Sequence, residues 1–381
     1  MKYILLYTCS LFIFLSCTSK KNENLEQNTN LTNKKVIAYV NSWQDNWGDN
    51  FEKANLITHI NYAFANIKDG EVVEGRHTDF EIIKKLIKLK EKNKDLKILI
   101  SVGGWSWSKN FSDAVLTEAS REKFANSAIS FMKRHNIDGI DLDWEYPGLP
   151  GAGNVHRPED KENFTAILKL LREKLDGIAT SENQYLLTIA SGASQNYLDH
   201  TNMKEAHKYL DFINIMTYDF HGGGEAKTGH HANLNPSNSD DNPLVVSVVK
   251  AVQEHVNAGI PIGKIVLGVP FYGRWWKGAN PMNNGLYQKT KGTTGSYNYN
   301  AIIDSINSNK GYTEYWDEAA KAPYIWRQKD SLFITYDNAK SLKYKVDFVN
   351  DKQLGGIMFW QFNGDNGTLL NTIYNNLYIK E

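Results

Sequence analysis

Residues 138–148 read Asp-Gly-Ile-Asp-Leu-Asp-Trp-Glu-Tyr-Pro-Gly. Ile140, Leu142 and Trp144 alternate with Asp141, Asp143 and Glu145, the period-two pattern of a strand, so three carboxylates share one face and three apolar side chains the other. Neighbouring carboxylates on that face are expected about 6 to 7 Å apart, two strand rises. Three acids so close repel one another unless hydrogen bonds or shared protons offset the repulsion, which favours keeping one member protonated near neutral pH, as a general acid must be. A calcium or magnesium site and a solvated acidic strand edge are the competing readings. A calcium loop brings more Asp, Asn and Gly in an irregular turn, whereas Leu142 and Trp144 demand burial behind this strand, so catalysis is favoured.

Working outward, seven further apolar runs read as strands: Val36 to Val40, Ile57 to Ile67, Leu96 to Val102, Tyr185 to Ala190, Phe212 to Tyr218, Ile265 to Tyr272 and Gly355 to Phe362. With Gly139 to Glu145 they make eight. Helical stretches separate them. Phe164, Ile167, Leu168, Leu171 and Leu175 form a stripe closed by Gly177, and Asn242 with Pro243 suits an N-cap and first turn ahead of Val245, Val248, Val249, Val252 and Val256, with Gly259 as the stop. Eight strands alternating with helices predict an α/β protein, a parallel (β/α)8 TIM barrel, whose active site lies at the C-terminal ends of the strands. Glu145 ends the fourth. Between Tyr272 and Phe333 about sixty residues rich in Tyr, Trp and Gly exceed a plain loop, so residues 273–332 are expected to form a small α+β insertion beside the barrel mouth, with the barrel built from 35–272 and 333–381.

The composition is neutral: 43 basic and 43 acidic residues give no global field toward nucleic acid or an anionic membrane. Ten Trp, twenty Tyr and sixteen Phe supply rings for the core and for stacking on sugar faces. Lys2 followed by the apolar run Tyr3 to Leu15 suits a signal peptide over 1–16, too short for a mature membrane span. FLSC resembles a bacterial lipoprotein cleavage site, with Cys17 as the lipidated first residue and 17–34 as a polar tether; plain secretion is the alternative. Cys9 would leave with the signal, so no internal disulfide is expected.

Asp138-x-x-Asp141-x-Asp143-x-Glu145 resembles the signature of glycoside hydrolase family 18, the chitinases and their relatives. Ser101-x-Gly103-Gly104, Met216-x-Tyr218-Asp219 and Trp360 in MFWQF resemble that family's motifs on strands three, six and eight, while GVPFYGR, ending at Arg274, and ITYDNAKSLKYK resemble the borders of its insertion domain. The resemblance implies that Glu145 protonates the departing glycosidic oxygen and that the substrate's own acetamido group attacks the anomeric carbon, an exception to the two-carboxylate scheme. It implies that Asp143 orients that group and that Asp141 shares a proton behind it. Tyr39 and Ser101 would support Asp141, and Tyr218 would donate to the acetamido oxygen. Asp219 would bind the distorting sugar, Trp360 would floor it, and Gly104, Trp105, Tyr146, Met216 and Arg274 would surround it.

One departure concerns the stretch after Asp219, FHGGGEA, which has Gly224 and Glu225 where many members carry a tryptophan that stacks on the leaving-group side. His221, His230 and His231 invite a metal reading, yet an adjacent pair cannot both face one ion from a regular strand or helix, and no third ligand stands at a telling spacing. The expectation is therefore a monomeric, retaining hydrolase of chitin or N-acetylglucosamine oligosaccharides without metal or cofactor, carried on the cell envelope as an outer-membrane lipoprotein or else secreted. Rival readings are an endo-β-N-acetylglucosaminidase acting on N-glycan cores, for which a walled groove is less suited, and a sugar-binding lectin, in which the acid is typically lost.

Overall fold

The computed structural model describes residues 34–43, 53–241, 246–308 and 310–378. The signal peptide, Cys17, nearly all of the tether, and Asn242 with Pro243 and Val245 lie outside them. Eight parallel strands form the barrel: β1 Lys35–Asn41, β2 His59–Lys68, β3 Lys97–Gly103, β4 Gly139–Asp143, β5 Leu186–Gly192, β6 Phe212–Met216, β7 Ile265–Pro270 and β8 Gly356–Trp360. They pair in the order β1-β8-β7-β6-β5-β4-β3-β2, and β1 pairs β2 to close the ring. A short antiparallel strand, Glu71–Glu74, folds back on the end of β2.

Strand alternation sorts the side chains. On β4 and the residue after it, Ile140, Leu142 and Trp144 point out to the helices, where Trp144 stacks on Phe111 at 5.0 Å and meets Phe164 edge-on at 6.1 Å. Asp141 and Asp143 point inward. On β1, Ile37 and Tyr39 likewise enter a small interior cluster with Phe212, Val266 and Met358, while Val36, Ala38 and Val40 join the large outer core. Burying that outer layer at about 25 cal/mol per Å² of apolar surface drives barrel closure.

Several boundaries differ from the sequence expectation. β4 ends at Asp143, so Glu145 stands just past the strand, where the chain turns out of the sheet. Residues Ile265 to Tyr272 are two strands: β7 stops at Pro270, which cannot donate to the ladder, and Tyr272–Lys277 belongs to a second sheet. Gly177 lies inside helix Asp160–Ile178 rather than after it, and helix Val248–Asn257 starts at an N-cap Ser247 whose hydroxyl accepts from the Lys250 N–H. Gly259 follows that helix with φ +94°.

The second sheet has five antiparallel strands in the order Thr294–Asn298, Tyr272–Lys277, Leu332–Thr335, Ala322–Arg327 and Thr313–Asp317, with helix Tyr299–Asn307 alongside. It leaves and rejoins the barrel between β7 and β8. Among the described residues no helix is long and apolar enough to cross a membrane.

Candidate active site

The carboxyl ends of the strands open into a cavity of about 980 Å³, lined by Asp143, Glu145, Tyr218 and Trp360 among others. Asp141 lies beneath it, fully buried inside the barrel. Its Oδ2 accepts from Tyr39 Oη at 2.9 Å and Ser101 Oγ at 2.8 Å; its Oδ1 accepts from Thr188 Oγ1 at 2.5 Å and, more weakly, Asn214 Nδ2 at 3.5 Å. Burial raises its pKa, and these four donors, from β1, β3, β5 and β6, oppose the rise.

Asp143 differs from its neighbour. Its Oδ1 is buried and has no hydrogen-bond partner. Burial first, then the charges of Glu145 and Asp141, push its pKa well above the carboxylate range. Glu145 is pushed up to about 7 by burial, opposed by a hydrogen bond from Tyr146 and assisted by the charge of Asp219. Asp143 and Glu145 titrate as a pair, since charge on either disfavours charge on the other.

Local backbone sets Glu145. Its N–H donates to Ser108 Oγ at 2.9 Å, and the same hydroxyl lies 2.9 Å from the Gly104 carbonyl and 3.1 Å from that of Asp143. Ser108 can approach because Gly103 has φ +104°; a Cβ there would sit 2.5 Å from the Asp143 carbonyl oxygen. Gly104 is buried against Phe64, and its neighbours Gly103 and Trp105 line the cavity.

Aromatic side chains form the walls. Trp360, at the end of β8, stacks on Phe64 at 5.5 Å and leans on Tyr39 and Trp43. Tyr146 packs edge-on against both Trp105 and Tyr197, leaving Trp105 54% exposed at the cavity rim. Tyr218 is held by the Tyr272 ring, and burial together with the Asp143 charge raises its pKa far enough that the phenol keeps its proton. Met216 lines the cavity one residue-pair earlier.

Arg274 grips Asp219 through two bonds, Nε to Oδ1 at 2.7 Å and Nη2 to Oδ2 at 2.6 Å. Burial alone would raise the Asp219 pKa, but His231 and Arg274 outweigh it and keep the carboxyl below its ordinary range. The three histidines of this region face different carboxylates: His221 faces Glu225 at 2.9 Å, His230 faces Asp317 at 3.3 Å and His231 faces Asp219 at 3.6 Å. Among the described residues no group of three or more ligating side chains could hold a metal ion. Gly222 and Glu225 form a turn at the cavity wall, the Gly222 N–H donating to Glu225 Oε1.

Thus all the named residues converge except Cys17, which lies outside the described residues; Asp141 and Ser101 sit behind the cavity rather than on it. Thr188, Asn214, Ser108, Tyr197 and Phe64 escaped sequence reasoning. Thr188 and Asn214 had one available signal, a polar residue at an inward position of an apolar strand. Asp138 binds Lys90 Nζ at 2.6 Å and the Ile98 N–H at 2.7 Å, tying β4 to its neighbours far from the cavity.

Residues 35–365 match the profile of the family described as glycosyl hydrolases family 18. The chain is similar to Chitinase A1 of Niallia circulans, 41% identical over 89% of this chain and 58% of that relative, so it spans less than two thirds of the relative's length. Among solved structures, a family 18 N-acetylglucosaminidase from Paenibacillus barengoltzii superposes with a TM-score of 0.84 at 41% identity, covering 90% of this chain and 100% of that one. The Group IV chitinase of Ostrinia furnacalis, solved with allosamidin, superposes with a TM-score of 0.83 at 31% identity over 90% and 98%.

Proposed function

This chain belongs to glycosyl hydrolase family 18, and from that premise we propose that it is a chitinase, cleaving β-1,4 bonds after N-acetylglucosamine in chitin or its oligosaccharides with retention of configuration. The observation that carries the proposal is the contrast within one row of acids: Asp141 saturated with donors, Asp143 with an oxygen unpaired, and Glu145 titrating at about 7 at the open end.

In the proposed first step the substrate's acetamido oxygen attacks the anomeric carbon, the glycosidic bond breaks, and Glu145 gives its proton to the departing oxygen. An oxazolinium ion forms. The acetamido N–H donates to Asp143 Oδ1, which accepts from no protein group, and the developing positive charge favours the ionised form of Asp143. Tyr218 donates to the acetamido oxygen and holds it for attack. Water then attacks the anomeric carbon from the vacated face, its proton passes to Glu145, and two inversions give net retention. Trp360 floors the reacting sugar, and Asp219 with Arg274 contacts it as it distorts.

The test is product analysis by mass spectrometry after supplying a chitin hexasaccharide and a high-mannose glycopeptide to the protein and to Glu145→Gln. Cleavage of the hexasaccharide alone, and only with Glu145 present, supports the proposal. Release of single sugars alone would move it to N-acetylglucosaminidase action, the activity named for the Paenibacillus structure. Cleavage of the glycopeptide alone would move it to N-glycan release, and binding without cleavage to a lectin. Envelope anchoring through Cys17 belongs to the same proposal; fatty-acid labelling that persists in Cys17→Ser would overturn it.

A further inference from the structure

After the hairpin that follows β2, the chain turns through Gly75 and Arg76 into helix Asp79–Ile87. Asp79 is fully buried and holds this corner: its Oδ1 accepts from Tyr62 Oη at 2.6 Å and its Oδ2 from the Arg76 N–H at 2.9 Å. A Cβ at Gly75 would lie 2.0 Å from the Trp107 ring, so glycine is what lets that indole lie against the chain beside Arg76. The guanidinium then stands between two indoles, 6.0 Å from the centre of Trp43 and 5.9 Å from that of Trp107. All three side chains line the cavity.

The side of the cavity follows from the contacts. Trp43 lies 6.1 Å from Trp360, the floor under the reacting sugar, and Arg76 lies past Trp43. Glu145, which meets the leaving oxygen, feels the charge of Asp219, and Asp219 is gripped by Arg274 beside Gly223. The pair adjoins the Gly222–Glu225 turn, where many family members carry the tryptophan of the leaving-group side, so it marks the flank of the reacting sugar that faces the leaving group. Arg76 therefore faces the sugars that precede the reacting one. Arg274 is paired with Asp219 at 2.6 Å, whereas among the described residues the Arg76 guanidinium makes no ion pair; the buried Asp79 carboxyl, whose Oδ2 accepts from the Arg76 N–H, feels its charge without closing on it.

Resting on the chitinase reading, we propose that Arg76 is a specificity residue, a fixed cation beside the second or third sugar before the cleaved bond that selects N-acetylglucosamine over glucosamine there. A neutral acetamido group or hydroxyl accepts a hydrogen bond from the guanidinium, whereas the protonated amine of glucosamine has no acceptor and meets a like charge. For two charges roughly 6 Å apart near a wet surface, the discrimination is about three- to tenfold, and salt weakens it.

The test digests partially deacetylated chitosan in acidic buffer, where glucosamine is cationic, and sequences the products by mass spectrometry for wild type, Arg76→Gln and Arg76→Lys. The expected result is glucosamine depleted about three- to tenfold at the second or third sugar from the new reducing end in wild type and in Arg76→Lys, with the depletion lost in Arg76→Gln. High salt should relieve it in wild type and leave Arg76→Gln unchanged. Equal glucosamine frequency in wild type and Arg76→Gln overturns the proposal. A fully acetylated hexasaccharide run in parallel separates the two failures: if wild type does not cut it, the chitinase reading itself is wrong, and if Arg76→Gln cuts it, that variant is folded.

Discussion

The Tyr39 phenol donates to Asp141 Oδ2 at 2.9 Å across the barrel interior, joining β1 to β4 over 102 positions of chain. Both groups are buried, and burial raises both pKa values, so the phenol keeps its proton and stays a donor. The bond fixes the carboxylate next to Asp143 from a ring that is itself part of the cavity wall, packed on Trp360 at 5.9 Å. Tyr39→Phe removes one of four donors to a buried acid. Thermal or denaturant unfolding should show a loss of about 1 to 3 kcal/mol, with a smaller kcat; an unchanged midpoint would mean that the remaining three donors suffice.

Glu145→Gln keeps shape and removes the acid. Turnover of a chitobioside should fall about 10²- to 10⁴-fold while the dissociation constant for a chitin oligosaccharide stays within a few-fold. Asp143→Asn should also lose rate at least about a hundredfold, because the oxazolinium loses its charge partner. A rate near that of wild type in Asp143→Asn would rule out the substrate-assisted scheme.

In the proposed mechanism Glu145 acts as the acid and so must be protonated, and burial raises its pKa to about 7. The kcat profile should therefore fall as pH rises through about 7. A basic limb that stays put in Asp219→Asn would show that the Asp219 charge does not reach Glu145; with that charge removed, the limb should move to lower pH, since the Asp219 charge is one of the causes of the rise.

The same shift has a cost in stability. A carboxyl raised from its ordinary value to about 7 keeps its proton in the folded state where the unfolded chain has lost it. Between those two values the folded protein binds more protons, so stability falls as pH rises and levels off above about 7. Glu145→Gln should flatten this slope and raise the melting temperature at alkaline pH relative to wild type. Equal slopes in the two proteins would place the buried charge elsewhere.

Trp105 is 54% exposed at the cavity rim, so its ring contributes little to the core and, under the proposed function, stands open to stack on a bound sugar. Trp105→Ala should raise KM for a hexasaccharide about tenfold, in line with roughly 1.5 kcal/mol per aromatic contact, with little change in melting temperature. A large drop in melting temperature would mean that Tyr146, packed against it at 6.4 Å, depends on the indole.

How much was legible varied by residue. Asp141, Asp143 and Glu145 announced themselves because a strand repeats every two residues, and apolar Leu142 and Trp144 between them left one geometry. Thr188 and Asn214 did not, since the one signal they carry, a polar residue at an inward position of an apolar run, names no partner until the barrel closes and brings β5 and β6 to Asp141. Ser108 was silent for the same reason: its bond to the Glu145 N–H spans 37 positions and depends on the positive φ at Gly103. The break at Pro270 was readable in retrospect, as a residue that cannot donate to a ladder.

The amino-acid sequence by itself determined the alternation of strands and helices, the row of acids and the aromatic content, because these depend on spacings of two and about 3.6 residues within short stretches. Which acid is saturated, which is left unpaired and which titrates near neutrality was decided only when strands far apart in the chain met inside one barrel. Burial and hydrogen bonding depend on neighbours in space, and those neighbours are supplied by closure of the fold.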